Sequence, residues 1–147
     1  MRTNVAALAA PIEIGYVERA SPFAVTPTTP ATAATVLSAT VVADGGPLEV
    51  EFFAPGIYSD ATNVQTTVSL WVDGVDLGAR CAHFANIALV IFPALAKRRL
   101  ALPAASHIVE IRAYRASATG NQSIQAGPGG AGTYLPAYLR VSRVLRG

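Results

Sequence analysis

Hydrophobic and polar residues alternate with a period of two through most of this chain. Leu48, Val50 and Phe52 alternate with Glu49 and Glu51 before a stop at Ala54-Pro55-Gly56, the pattern of a strand with one buried and one wet face. Val64, Thr66, Val68, Leu70 and Val72 share one face of a longer strand, with Gln65, Thr67, Ser69 and Trp71 on the other. Asp73-Gly74 then predicts a tight hairpin, because both central positions of a type I′ turn need positive φ. Ile12, Ile14 and Tyr16 against Glu13 and Gly15 predict an outer first strand, and residues 35–43 a β-branched one ended at Asp44-Gly45-Gly46-Pro47. Further on, Val109, Ile111 and Ala113 oppose Ile108, Glu110, Arg112 and Tyr114, and strands over 123–126 and 134–145 complete the set.

Residues 84–96 fit two periods. Phe84, Ile87, Ala88, Ile91 and Leu95 have helical spacing, but Pro93 breaks it and the dense run from Ile87 to Phe92 suits a buried strand, so strand is the expectation. Pro22, Pro27 and Pro30 among threonines and alanines favour extended backbone from Ser21 to Thr35. Eight to ten short strands, with neither βαβ alternation nor a fixed repeat, predict an all-β fold: a two-sheet antiparallel jelly-roll sandwich with an extended N-terminal arm. The expected division is a strand and Pro/Thr-rich arm over 1–32 and the sandwich over 33–147.

Composition adds one pressure. The chain has 147 residues, enough for one core, and 52% are hydrophobic against 14% charged, with a mean hydropathy of +0.40. A solitary domain of this size shows much of its perimeter to water, so the excess apolar surface is expected to meet protein. The apolar runs fall short of the 18 or more residues of a membrane helix, and Met1–Ala10, short and weakly hydrophobic, is read as a retained segment rather than a leader. Residues 1–96 carry three basic side chains against eight acidic ones, a net of −5, and residues 97–147 carry eight against one, +7. Such asymmetry suggests contact between unlike surfaces of neighbouring subunits, or solvated faces. Lys97-Arg98-Arg99 is too short a tract to argue for nucleic acid.

Candidate chemistry is sparse. His83 and Cys81 share a strand face without a third group to form a catalytic set, and His107 after Ser106 is expected to bond local backbone. Glu49 and Glu51, about 7 Å apart by strand rise, read as a hydrated pair rather than glycosidase carboxylates. Asp73 and Asp76 frame a hairpin, not a calcium loop. The glycines from Gly127 to Gly132 lack the Lys-Ser/Thr of a phosphate loop. No catalytic, cofactor or metal residue is therefore assigned. Trp71, Tyr58, Tyr134 and Tyr138 suit core or subunit contacts. The contact residues expected toward a partner are Pro22, Phe23, Pro27, Pro30, Trp71, Tyr134 and Tyr138.

Several of these stretches together resemble the short jelly-roll virion proteins of tailed bacteriophages that infect actinobacteria, similar in plan to the trimer-forming C1q/TNF-like domain. They are the segments from Ile12 to Glu18, Leu48 to Pro55, Val68 to Gly74, Leu102 to Val109 and Pro136 to Val141, with the Thr/Pro stretch between the first two. Ala105 stands where the turn before Ser106-His107 usually has glycine. The resemblance implies a non-enzymatic virion component, made in the host cytoplasm, without cofactor, nucleic acid or membrane. It implies a homotrimer that decorates the capsid by laying its arm on the major capsid protein. The alternative is a minor tail or tail-fibre protein contacting other tail proteins and a host-surface glycan, through loops such as 57–63 and 127–133.

Overall fold

The computed structural model describes residues 10–130 and 132–145, so the expectation for Met1–Ala10 falls almost wholly outside the described residues. The strands are β1 (Ile12–Arg19), β2 (Phe23–Ala24), β3 (Ala34–Val42), β4 (Pro47–Ser59), β5 (Val64–Val72) and β6 (Val75–Ala85). They continue as β7 (Val90–Ala101), β8 (Ser106–Arg115), β9 (Gln122–Gln125), β10 (Pro128–Gly129), β11 (Gly132–Thr133) and β12 (Ala137–Arg143). One 3-10 turn, Pro30–Thr32, interrupts the extended segment before β3. Among the described residues no helix is long and apolar enough to cross a membrane.

Two antiparallel sheets form the sandwich. The first follows the order β1-β12-β4-β9-β2, with β7 on the remaining edge of β4; the second is β3-β8-β5-β6. The long β4 organises the first sheet. Its residues 48–53 pair with β12 and 56–59 with β9 along one edge, while β7 follows the other edge from Pro47↔Ala101 to Ser59↔Val90. A register shift between Ala54 and Ile57 marks the Pro55-Gly56 break and bends the strand. The fold is an all-β jelly roll.

The core lies between the sheets. Leu48, Val50 and Phe52 meet Val68, Leu70 and Val72 there, with Val109, Ile111 and Ala113 from β8 and Leu139 and Val141 from β12. These are the alternating sets the sequence displays, each large side chain contributing roughly 1.5–3 kcal/mol by leaving water. Thr66, also inward, is satisfied by donating its hydroxyl to Gln122 Oε1 at 2.6 Å, as a buried polar group requires. Asp73 and Gly74 both take positive φ, +50° and +79°, which is the tight hairpin predicted from their identity.

Three expectations change. Of the segment expected to form an arm, the described residues 10–32 are extended but do not pack apart from the rest: β1 is hydrogen-bonded to β12, Val25 is fully buried, and the carbonyl of Pro27 accepts the Arg115 amide. Within β1 a register shift at Glu13/Gly15 breaks the simple alternation, so Tyr16 faces solvent while Ile14 and Val17 pack on the core. Residues 84–96 are not one strand. β6 ends at Ala85, a turn spans 86–89, and β7 starts at Val90. Pro93 is accommodated because β7 is an edge strand, where a missing amide donor is harmless.

Candidate interaction surface

The two flanks of the sandwich differ. At one, β1 lies against β3 so closely that a Cβ on Gly15 would fall 2.5 Å from Val41 Cγ1. At the other, β6 and β7 are, among the described residues, edges of opposite sheets, and midway along them the inward side chains are small: Ala79 and Cys81 from β6, Ala94 and Ala96 from β7, with Leu77 and Leu100 beyond. A cleft of about 320 Å³ therefore opens between the sheets, floored by the core residues Val50, Phe52, Val68, Leu70 and Ile111.

Large apolar residues of β6, β7 and the turn that joins them stand in solvent. Phe84, Ile87, Leu89, Phe92 and Leu95 are 56%, 59%, 72%, 52% and 61% exposed, and no charged side chain occurs from Cys81 to Ala96. Large apolar side chains gathered in this way along one edge of a sandwich mark a candidate interaction site. The turn that carries it holds Leu89 at φ +59°, a conformation that disfavours a branched residue. His83 sits under the patch with its ring 5.2 Å from that of Phe92. Neither of its ring nitrogens has solvent contact or a hydrogen-bond partner, and burial pushes its pKa below the ordinary histidine value.

Next to the flank, the outer face of the first sheet carries an aromatic strip and an ionic network. Tyr138 packs between Tyr16 and Phe53 at centroid distances of 5.7 and 5.4 Å, and register places Leu95 beside Phe53. One residue pair along, the buried carboxylate of Glu51 accepts from Lys97 at 2.8 Å and from the Tyr138 hydroxyl at 2.5 Å. Those two donors hold its pKa below the usual carboxylate range, while the Glu18 carboxylate, 2.6 Å from the Tyr16 hydroxyl, pushes that phenol up to about 12. The hydrated pair expected of Glu49 and Glu51 is thus half corrected: Glu51 is enclosed by partners from β7 and β12.

The charge asymmetry also resolves within one chain. Glu49 and Glu51 meet Lys97, Glu49 meets Arg99, Glu13 meets Arg140, and Asp44 meets Arg143. Because β7 and β12 lie beside β4 and β1, the basic half folds onto the acidic half. The asymmetry consequently carries no weight for contact between subunits.

The residues expected to touch a partner do not form one site. Trp71 lies on the outer face of the second sheet, 8% exposed beneath the Arg112 guanidinium at 4.2 Å, with its indole N–H donating to Ser69 Oγ. Tyr138 belongs to the opposite sheet. Pro22 and Tyr134 flank the β10–β11 hairpin, Phe23 pairs with Ile124 beneath Arg19, Pro27 caps Arg115, and Pro30 opens the 3-10 turn. The hairpin apolars were missed because core was the reading given to residues 84–96. The signal available was the uncharged run itself, with Asn86 between Phe84 and Ile87.

His107 is engaged at the far end of the sandwich. Its Nδ1 lies 2.7 Å from Asp73 Oδ2 and its Nε2 2.9 Å from the Pro103 carbonyl. With acceptors on both sides its pKa is raised, and that of Asp73, which also accepts the Ile108 amide, is lowered.

No protein-family model and no curated protein sequence matches this chain. Among solved structures, a TNF protein, Eiger, from S. frugiperda is similar over 95% of this chain and 96% of its own, at 11% identity and a TM-score of 0.54. The sugar-binding C-terminal domain of EclA aligns over 84% and 81% at 16% identity with a TM-score of 0.47. A family 35 carbohydrate-binding module from Clostridium thermocellum aligns over 90% and 98% at 13% identity with a TM-score of 0.37. At such identities the likeness extends to the fold alone, an antiparallel jelly roll.

Proposed function

We propose that this chain is a non-enzymatic, self-assembling structural protein, a homotrimer that decorates a virus capsid. The observation that carries the self-assembly is the β6–β7 flank: five large apolar side chains held in water, and an open cleft between the same two edge strands. Docking on a second copy removes both from solvent. A counter-surface is at hand in the neighbouring strip of Tyr16, Tyr138 and Phe53, and a head-to-tail contact between the two gives a ring where the rotation between copies closes. The count of three and the virion setting come from the resemblance of the strand motifs to trimer-forming virion proteins.

The non-enzymatic reading is supported by where the polar groups are spent. Glu51 is tied to Lys97 and Tyr138, and His107 to Asp73 and Pro103, at a different end from Cys81. Sedimentation equilibrium of the full chain tests the assembly: three times the 15.2 kDa protomer is expected, and a monomer at micromolar concentration overturns it. Imaging of particles labelled on this chain tests the setting. Many copies over the shell are expected; a few at the tail transfer the protein to tail or host-surface work, and none on the particle removes the virion reading.

A further inference from the structure

We propose that His83 makes the β6–β7 flank acid-sensitive: protonation of its ring in mildly acidic solution opens the flank and separates the assembled copies. The inference rests on the assembly reading above. His83 is on β6 opposite Thr66, and its ring, 5.2 Å from that of Phe92 on β7 and tilted 46° to it, bridges the two sheets at their open edge. Phe92 is itself one of the exposed apolar residues of the docking patch.

The surroundings decide which form of the ring is tolerated. Across the second sheet the row through His83 runs to Thr66 on β5 and Arg115 on β8. The Thr66 hydroxyl donates to Gln122, and the Arg115 guanidinium donates to the Gly120 carbonyl. Across the sandwich β7 presents Phe92, followed on the same side by Ala94. On its own strand Cys81 and Ala85 share the face of His83. The titratable or charged groups in this set are the Cys81 thiol and Arg115, so an imidazolium there meets a like charge and no carboxylate. A buried, unpaired charge costs far more than a neutral ring, and the relief is for the ring to swing out to water. That movement displaces Phe92 and breaks the apolar surface on which the next copy sits.

The sign follows from linkage. The separated state binds a proton that the assembled state refuses, so association strengthens as pH rises and weakens as pH falls below the ordinary histidine value of about 6.5. Each subunit contributes up to about tenfold per pH unit, and three contribute up to about a thousandfold.

Sedimentation velocity of the full chain between pH 8 and pH 5 tests this, beside a His83→Phe variant that keeps an aromatic ring against Phe92 and cannot titrate. Wild type is expected to be assembled at pH 8 and to dissociate between pH 6.5 and 5, while the variant stays assembled throughout. The switch is overturned if wild type holds together at pH 5, or if the variant dissociates along the same curve. A wild-type monomer at pH 8 overturns the assembly reading and the switch with it, so the two failures are distinct. Should His83→Phe not fold, the NMR titration of the wild-type His83 ring decides: a midpoint below 6.5 is expected, and one at or above it refutes the switch.

Discussion

Replacing Leu95 with glutamate separates assembly from folding most cleanly. Leu95 lies on the outward face of β7 beside Phe53 and is 61% exposed. Full burial of a leucine is worth roughly 1.5–3 kcal/mol, so about 1–2 kcal/mol remains to be gained at each contact when a neighbour covers it. A carboxylate at the same point forfeits that gain and must be desolvated beside apolar groups, because Lys97, the nearer cation on that face of β7, is already committed to Glu51 at 2.8 Å. The combined penalty is several kcal/mol per contact. About 4 kcal/mol is a thousandfold in an equilibrium constant, enough to turn a micromolar trimer into monomer. In the isolated chain the side chain stays in water, so the melting temperature measured at a concentration where both proteins are monomeric should move by less than about 2 °C. Val42→Glu is the control: Val42 is 63% exposed on the far strand β3, and its variant should sediment like wild type. Analytical ultracentrifugation of the three proteins refutes the reasoning if Leu95→Glu stays assembled, or if Val42→Glu falls apart equally.

Leu139→Ala should lower stability by about 2–5 kcal/mol, since Leu139 is fully buried in the central strand β12; calorimetry should show a melting temperature roughly 6–12 °C lower for a loss near 3 kcal/mol. Asp73→Asn should flatten the alkaline limb of the stability profile. The folded pKa of His107 is raised, so its contribution is complete below the unfolded value of about 6.5 and is lost as pH rises through the folded one. Asp73 is lowered, so its contribution is present above its unfolded value and disappears as pH falls through the folded one; identical melting curves for the two proteins between pH 5 and 9 would contradict both. Gly127→Ala should shift the urea midpoint downward, because φ is +59° and the new Cβ would fall 2.0 Å from the Ala20 carbonyl oxygen.

How much of this was legible depended on whether a strand has unequal faces. β4, β5 and β8 alternate apolar residues with more polar ones, and the apolar set faces the other sheet, so Leu48, Val68 and Ile111 could be placed in the core from the pattern alone. The turn at Asp73-Gly74 was legible for a separate reason, since few residue pairs accept two positive φ values. β1 was read only in part because its alternation slips at Glu13/Gly15, and a bulge needs a partner strand to define it. Packing of residues 20–33 was hidden altogether. Nothing in a proline-threonine stretch announces that Val25 closes the core beside Ile124 and Ala126.

The candidate surface was illegible because it inverts the rule used to find a core. On β6 and β7 the small residues Ala79, Cys81, Ala94 and Ala96 turn inward while Phe84, Phe92 and Leu95 turn out or rim the edge. Hydropathy alone counts both groups as interior. The difference between a buried strand and an exposed apolar edge lies in side-chain volume relative to strand order, and strand order is a tertiary fact. The charge pattern misled for a related reason: chain halves of opposite sign suggested unlike partners, yet antiparallel pairing of β7 with β4 and of β12 with β1 brings those halves together inside one subunit. Five of the exposed large apolar side chains, Phe84, Ile87, Leu89, Phe92 and Leu95, then stand together in sequence at the flank where, among the described residues, neither sheet has a further strand. An assembly contact at that flank is therefore expected to be insensitive to salt, unlike one joined by charges, and to tighten on warming from the cold as hydrophobic association does. Sedimentation at 0.05 M and 0.5 M salt distinguishes the two kinds of joint, and dissociation by salt would return the case to the charged faces.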